Sequence, residues 1–164
     1  RDISGSDSDG RGEGMVNSII ILILSFLASF GFGVAFEIHE REKLILAGMG
    51  GLVTRLAYLV LIALTGNPFV TVLLASFVAS LYGSILAKAK HVPVAFFTYP
   101  ALIPLIPGDL FHYMIASILV GNMPLARTQG MQCVLLLLAL SIGSIVSWTT
   151  VQSIHRKTFF QEED

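Results

Sequence analysis

The stretch that decides the fold is VPVAFFTYPALIPLIPGDLFHYM, Val92 to Met114, an apolar run broken by Pro93, Pro100, Pro104 and Pro107. A proline inside a helix removes a backbone donor and clashes with the carbonyl four residues earlier, at a cost of about 3 kcal/mol. The composition nevertheless belongs in a bilayer, where irregular backbone is tolerated only if it is buried in protein or lines a wet cavity. Broken helices of this kind bind substrate in many secondary transporters, so the run points to transport.

The composition of the whole chain agrees with a membrane setting. Of 164 residues, 54% are hydrophobic and 13% are charged, and the mean hydropathy is +0.79. Soluble domains carry roughly a quarter charged residues. We therefore expect an all-α integral membrane protein.

The pattern predicts about five transmembrane segments. Three uncharged runs are long enough to cross roughly 30 Å of hydrocarbon. They are Val16–Phe36, Phe69–Ala87 and Met131–Val151. A further run, Leu44–Leu64, contains Arg55 near its middle, and the broken stretch, counted as Pro93–Val120, is the fourth segment in chain order.

The first 14 residues, RDISGSDSDGRGEG, are polar and rich in Gly, Ser and Asp. We expect a disordered tail there, either native or left from expression. Residues 15–164 then form a single transmembrane helical domain. Its last loop is predicted at Gly121–Gly130, and a C-terminal tail is predicted from Gln152.

The basic residues predict an orientation. If the broken stretch crosses once, three Lys/Arg pairs share one side of the membrane, while the opposite loops contribute only Arg127. These pairs are Arg41 with Lys43, Lys88 with Lys90, and Arg156 with Lys157. The positive-inside rule makes that side cytoplasmic, with the N-terminus outside.

Small residues at four-residue spacing predict close helix packing in lipid. The rows are Ala75, Ala79 and Gly83; Ser76, Ser80 and Ser84; and Ala139, Gly143 and Ser147; Gly31 and Gly33 add a pair near the end of the first helix, and Gly48 and Gly51 share a face with Arg55. Five short helices are few for a complete pathway. A partner chain or a homo-oligomer is therefore expected.

Arg55 is the strongest single candidate for a functional residue, because an arginine at the centre of a membrane helix raises the free energy of insertion by about 2.5–3.5 kcal/mol. It could hold a substrate carboxylate in a bidentate pair, or it could form a structural ion pair, with Asp109 or with a partner subunit. Asp109 could be a helix N-cap, a proton carrier or the counter-charge. His112, three residues on, could relay protons or bond at an interface. Tyr99 could offer a hydroxyl to a polar solute or anchor an interface.

Several function classes are disfavoured. Net charge is −1 and no basic patch is interleaved with aromatic residues, so nucleic acid is not an expected partner. Cys133 is the single cysteine, and no metal-ligand spacing or phosphate-cradling glycine loop is found. We expect no enzymatic activity, no cofactor and no metal, and we expect an ion gradient to drive any transport.

At these residues the chain resembles a known family. The string PALIPLIPGDLFHYM, the preceding loop KAKHVP and the upstream LAGMGGLVTRLAYL are similar to the C-terminal membrane half of the threonine/serine exporter family, which also occurs as a separate small subunit. The family elements that match are the arginine, here Arg55, and the proline-glycine break, here Pro100, Pro104, Pro107 and Gly108.

The resemblance implies an inner-membrane exporter of a small hydrophilic metabolite, driven by the proton-motive force. It implies a larger companion subunit that carries the N-terminal half, so that this chain is not expected to transport alone. Some two-component members are associated with dicarboxylates such as succinate. The alternative is a membrane scaffold that stabilises its partner without transporting, with Arg55 paired across an interface.

Overall fold

The computed structural model describes residues 7–36, 38 and 40–160, with side chains at 17–36, 38 and 40–153. Every regular element in these ranges is helical, so the predicted all-α fold is confirmed. The elements are α1 (Asp7–Ala35), α2 (Arg41–Thr65), α3 (Pro68–Ala89), α4 (Ala95–Leu102), a 3₁₀ turn (Ile103–Leu105), α5 (Gly108–Leu119) and α6 (Met123–Phe160).

Four of these helices contain segments that are long and apolar enough to cross a membrane. The segments are Asn17–Ala35, Arg41–Thr65, Pro68–Ala89 and Met123–Ser153. The α4 helix with its 3₁₀ turn and the α5 helix form a fifth apolar segment, bent by 50°. The predicted five segments, with the fourth one broken, are therefore present.

Helices α3 and α6 run parallel, and this decides how the bent segment crosses. Val72 and Leu136 line one cavity, and Ser84 and Trp148 line another, so both helices lead from the first cavity to the second. A chain that leaves α3 at one end and enters α6 at the other must cross once between them. The α4–α5 segment therefore connects opposite ends of the bundle, the arrangement expected of a single broken crossing.

The boundaries differ from the sequence predictions at both ends. The loop predicted at Gly121–Gly130 is short because α6 already begins at Met123, and the tail predicted from Gln152 continues the same helix to Phe160. Of the predicted polar tail, residues 1–6 lie outside the described residues, and α1 begins at Asp7. The ends of these long helices are polar, so boundaries drawn from hydropathy alone make each helix too short.

Helix α3 is the centre of the bundle, packed against α2, α4 and α6. The predicted small-residue rows are all buried in it or against it. A Cβ on Gly143 of α6 would overlap Ser76 Oγ and the Leu73 carbonyl of α3, and a Cβ on Gly83 would lie 2.7 Å from the Thr98 Cα of α4. Without a side chain at these positions the helices approach closely, which in lipid replaces hydrophobic burial as the source of association.

The prolines of the broken segment have different structural effects. Pro100 lies inside α4 and does not end it. The chain turns further on, at Ile106, whose backbone is extended (ψ 123°) because it precedes Pro107. Because Pro104 has no N–H, the carbonyl of Pro100 lacks its usual helical donor, and the Ser29 hydroxyl of α1 donates to it instead at 2.8 Å. A side chain from a neighbouring helix thus satisfies the backbone group that the proline leaves open.

Candidate functional site

A cavity of about 480 Å³ lies between α2, the first turns of α3, the break before α5, and α6. Five polar side chains line it. They are Arg55 and Tyr58 of α2, Asn67 before α3, Asp109 of α5 and Gln132 of α6. Apolar residues complete the wall, among them Val72, Leu105, Ile106, Leu110 and Leu136. We call this space the Arg55 cavity.

Arg55 is half-buried and lacks a charge partner among the described side chains. The two ion pairs found there, Lys43–Glu40 and Lys90–Glu42, do not involve it. Its Nε is buried without a hydrogen-bond partner in the described part of the chain, and its guanidinium carbon lies 5.0 Å from the centre of the Tyr58 ring. The guanidinium is therefore held by a cation–π contact and keeps its donors available in the cavity.

The glycine face of α2 explains where Arg55 sits. Gly51 lies against Ser25 and Ser29 of α1, and a Cβ on it would come within 2.7 Å of the Ser25 carbonyl. Gly48 packs on the Phe26 ring of α1 in the same way. One turn beyond this close contact, the Arg55 side chain lines the cavity.

The break between α4 and α5 forms one side of the Arg55 cavity. Pro104, Ile106 and Pro107 line it, and α5 starts directly beyond them. The first N–H groups of a helix have no intrahelical partner. Those of Asp109 and Leu110, both cavity residues, make no hydrogen bond to another described residue. Together with the helix dipole, these groups favour an anion at this end of the cavity.

The N-cap role predicted for Asp109 is wrong. The cap position of α5 is occupied by Pro107, and no side chain caps the helix. Asp109 lies in the first turn and is exposed on the cavity side, with no hydrogen bond or ion pair to any described residue. The ion pair between Asp109 and Arg55, one of the two structural pairings considered for that arginine, is therefore also absent from the described residues. The two opposite charges line one cavity without neutralising each other directly.

The other predicted site residues lie outside the cavity lining. Pro100 is buried in α4, and Gly108 is exposed with nothing within 4 Å of the place of a Cβ. His112 is exposed and meets the edge of Tyr113 at 5.8 Å, and Tyr99 packs its ring 6.0 Å from that of Phe36. His112 follows Asp109 by three residues on α5, but it is not among the residues that line the cavity.

Three polar cavity residues were missed in the sequence, although each has a signal. Tyr58 follows Arg55 by three residues, which places both on one helix face. Asn67 caps α3, its side chain accepting from the Phe69 N–H at 3.0 Å, so its amide N–H groups are free to face the cavity. Gln132 is the single side-chain amide in the run Met131–Val151, which contains no charged residue. A polar side chain in an apolar helix is a candidate for a bundle-facing position.

The arrangement suits binding of a small charged solute. It offers a cation, helix N–H donors, a carboxylate and two amides around a cavity large enough for a small metabolite. Within the described part of the chain, no group of three His, Cys, Asp or Glu residues could hold a metal ion.

Comparison with known proteins gives the family. The family described as "Threonine/Serine exporter, ThrE" matches residues 21–150 of the 164, which contain the Arg55 cavity in full. No curated protein and no solved structure matches the chain. This is a family of transporters, not of enzymes. With its five apolar segments and the family match over most of its length, the chain is a multi-pass membrane protein that belongs to the threonine/serine exporter family.

Proposed function

We propose that this chain is the membrane subunit of an exporter of a small zwitterionic amino acid of the threonine or serine type, with the Arg55 cavity as the binding site. The observation that carries the proposal is the presence of Arg55 and Asp109 in one cavity without an ion pair between them. Arg55 is half-buried without a charged partner among the described residues, which costs free energy unless a ligand compensates it. Asp109 is exposed on the same cavity and is available to a cationic group.

The two ends of an amino acid fit the two charges. Its carboxylate would accept from the Arg55 guanidinium and from the free N–H groups of α5, and its ammonium would donate to Asp109. The amides of Asn67 and Gln132 would reach the side chain of the solute. A dicarboxylate such as succinate would instead bring a second negative charge towards Asp109, which disfavours it.

We propose the proton-motive force as the energy source and a larger companion subunit as the partner. Asp109 supports the first point, since a carboxylate at the cavity can bind either a proton or the solute ammonium. The resemblance to the small subunit of two-component exporters supports the second. The basic residues Arg41, Lys43, Lys88 and Lys90 lie together at one end of α2 and α3, linked there by the Lys90–Glu42 pair. They support a cell inner membrane location with the C-terminus cytoplasmic.

The test is efflux from cells loaded with labelled threonine, serine or succinate. It compares this chain alone, this chain with the companion subunit, and the pair carrying Arg55→Gln, Arg55→Lys or Arg127→Gln. Arg127 is the matched control, an exposed cation of α6 that lines neither described cavity. We expect amino-acid efflux that needs both chains and falls at least about tenfold with Arg55→Gln, the loss expected for a charge-assisted hydrogen bond.

Arg55→Lys keeps the charge but loses the bidentate fork, so we expect assembly to persist while efflux drops. Loss of assembly with both Arg55 variants, or unchanged efflux with Arg55→Gln, would contradict the proposal and favour the scaffold function. Efflux of succinate in preference to threonine and serine would contradict the substrate assignment alone. A protonophore added to the same cells tests the energy source.

A further inference from the structure

We infer that a second cavity, at the opposite end of α3 and α6, binds the phosphate of an anionic phospholipid. This cavity has a volume of about 300 Å³. It is lined by Ser84 and Lys88 of α3, Val94 before α4, and Trp148, Val151 and Gln152 of α6. No part of the Arg55 cavity enters it, so the inference does not depend on the proposed function.

The polar groups of this cavity are donors suited to an anion. Lys88 brings an ammonium, Trp148 an indole N–H, Gln152 an amide N–H and Ser84 a hydroxyl, while no carboxylate is among the lining residues. Lys88 takes part in neither of the ion pairs found among the described side chains. The cation is therefore available for a phosphate group.

Ser84 provides a second observation that points to a ligand. Its side chain is only 2% exposed, yet its hydroxyl makes no hydrogen bond to any described residue, although it lines the cavity. A serine in a helix usually satisfies its hydroxyl on the carbonyl one turn earlier, as Ser144 does with Leu140 at 2.8 Å. Ser84 lies one turn before Lys88 on α3 and both line the cavity, so both can reach one bound group.

The position of the cavity favours a lipid over a soluble anion. Lys88 is in the last turn of α3, and Trp148 is 52% exposed near the end of the apolar part of α6. Lysine and tryptophan at the ends of membrane helices lie at the level of the lipid headgroups. Val94 and Val151 supply apolar lining for the glycerol and acyl parts of a lipid. Basic clefts between membrane helices bind anionic headgroups in this manner.

The experiment uses Trp148 as its probe, because it is the only tryptophan in the chain. The purified full chain in neutral detergent is titrated with phosphatidylglycerol that carries brominated acyl chains, and separately with phosphatidylcholine that carries the same chains. Bromine quenches indole fluorescence on contact. We expect phosphatidylglycerol to quench at a concentration about fivefold lower, the factor for about 1 kcal/mol per lysine near an anionic headgroup.

Lys88→Ala should remove this preference, Ser84→Ala should reduce it, and Arg127→Ala, the loss of an exposed cation at the other end of α6, should leave it unchanged. Equal quenching by both lipids, or an equal effect of Lys88→Ala and Arg127→Ala, would overturn the proposal. Soluble glycerol phosphate that relieved the quenching at the same concentration as the lipid would assign the cavity to a soluble phosphate instead. Quenching abolished by the companion subunit would assign this face to a protein contact.

Discussion

The two halves of helix α3 contrast in what surrounds them. From Ser76 to Gly83 the helix meets α4 and α6 so closely that a single methyl group at Gly83 or Gly143 would overlap a neighbour. At its N-terminal end, the cap residue Asn67 and Val72 of the second turn instead line the Arg55 cavity. We call the contacts of Gly83 with Thr98 and of Gly143 with Ser76 the seam. It consists of small side chains and buried hydroxyls, whereas the cavity contains charges without partners.

The contrast separates stability from binding. Residues of the seam act through shape, so changes there should remove folded protein whatever the solute. The charged residues of the cavity, Arg55 and Asp109, have no charged partner among the described residues, so changes there should alter efflux while leaving the bundle folded. A site that keeps opposite charges apart forgoes stabilisation that an ion pair would give, and the packed seam provides the frame that holds those charges in place.

The largest expected effect is on the seam, from Gly143→Ala. The added methyl group would overlap the Leu73 carbonyl of α3, which cannot rotate away as a flexible side chain could. We expect a loss of about 1–3 kcal/mol in the free energy of unfolding, as for other overpacked sites. A thermal denaturation series in detergent, followed by size-exclusion chromatography, measures it.

The matched control is Gly31→Ala in α1, where a Cβ would meet nothing within 4 Å. This variant should be neutral or slightly stabilising, because alanine is the better helix former by about 1 kcal/mol. If both variants denature at the wild-type temperature, the close approach of α3 and α6 is not as tight as the structure describes.

Most of the helix packing, and some of the residues that line the Arg55 cavity, could be predicted from the sequence. Proline spacing predicted the broken crossing, and four-residue spacing predicted the buried rows of α3 and α6. Gly31 was predicted to pack but is open, because a small residue is also compatible with a helix face that meets only lipid. Which proline breaks the helix could not be predicted, since it depends on Ser29 of another helix satisfying the Pro100 carbonyl. The cap of α5 was mispredicted because the chain turns at Ile106 and Pro107, which places Pro107 and not Asp109 at the cap position.

The next largest effect is expected from Asp109→Asn in the cavity. The exchange keeps size but removes the charge proposed to hold the solute ammonium. Threonine and serine efflux should fall about tenfold, the scale of a hydrogen bond to a charged group. Succinate efflux should be unchanged or raised, because the repelling carboxylate is gone.

The ratio of the two efflux rates is the measurement, since it cancels differences in expression. Because Asp109 is exposed and has no partner among the described residues, the denaturation temperature should not change. A parallel loss of efflux for all three solutes would show that Asp109 serves the transport cycle rather than solute choice.

A smaller effect is expected at the break, from Pro104→Ala. Alanine at position 104 would supply the backbone N–H that can donate to the Pro100 carbonyl. This hydrogen bond favours a straighter helix beside the cavity. We expect efflux to fall several-fold with the folded yield retained. Gly108→Leu should also fold, because the place of its Cβ is open, and should impair efflux only by narrowing the space near Asp109. Normal efflux by both variants would remove the break from the transport path.

The smallest effect is expected at Tyr58, whose ring lies 5.0 Å from the guanidinium carbon of Arg55. A cation–π contact contributes about 0.5–2 kcal/mol, depending on how far the cation is desolvated. Tyr58→Leu keeps an apolar side chain but removes the ring, so Arg55 should lose its orientation and efflux should fall about threefold. Tyr58→Phe keeps the ring and is the control, with efflux expected near the wild-type rate. If Phe and Leu lower efflux equally, the hydroxyl and not the ring is the functional group, and Tyr58 then contacts the solute directly instead of positioning Arg55.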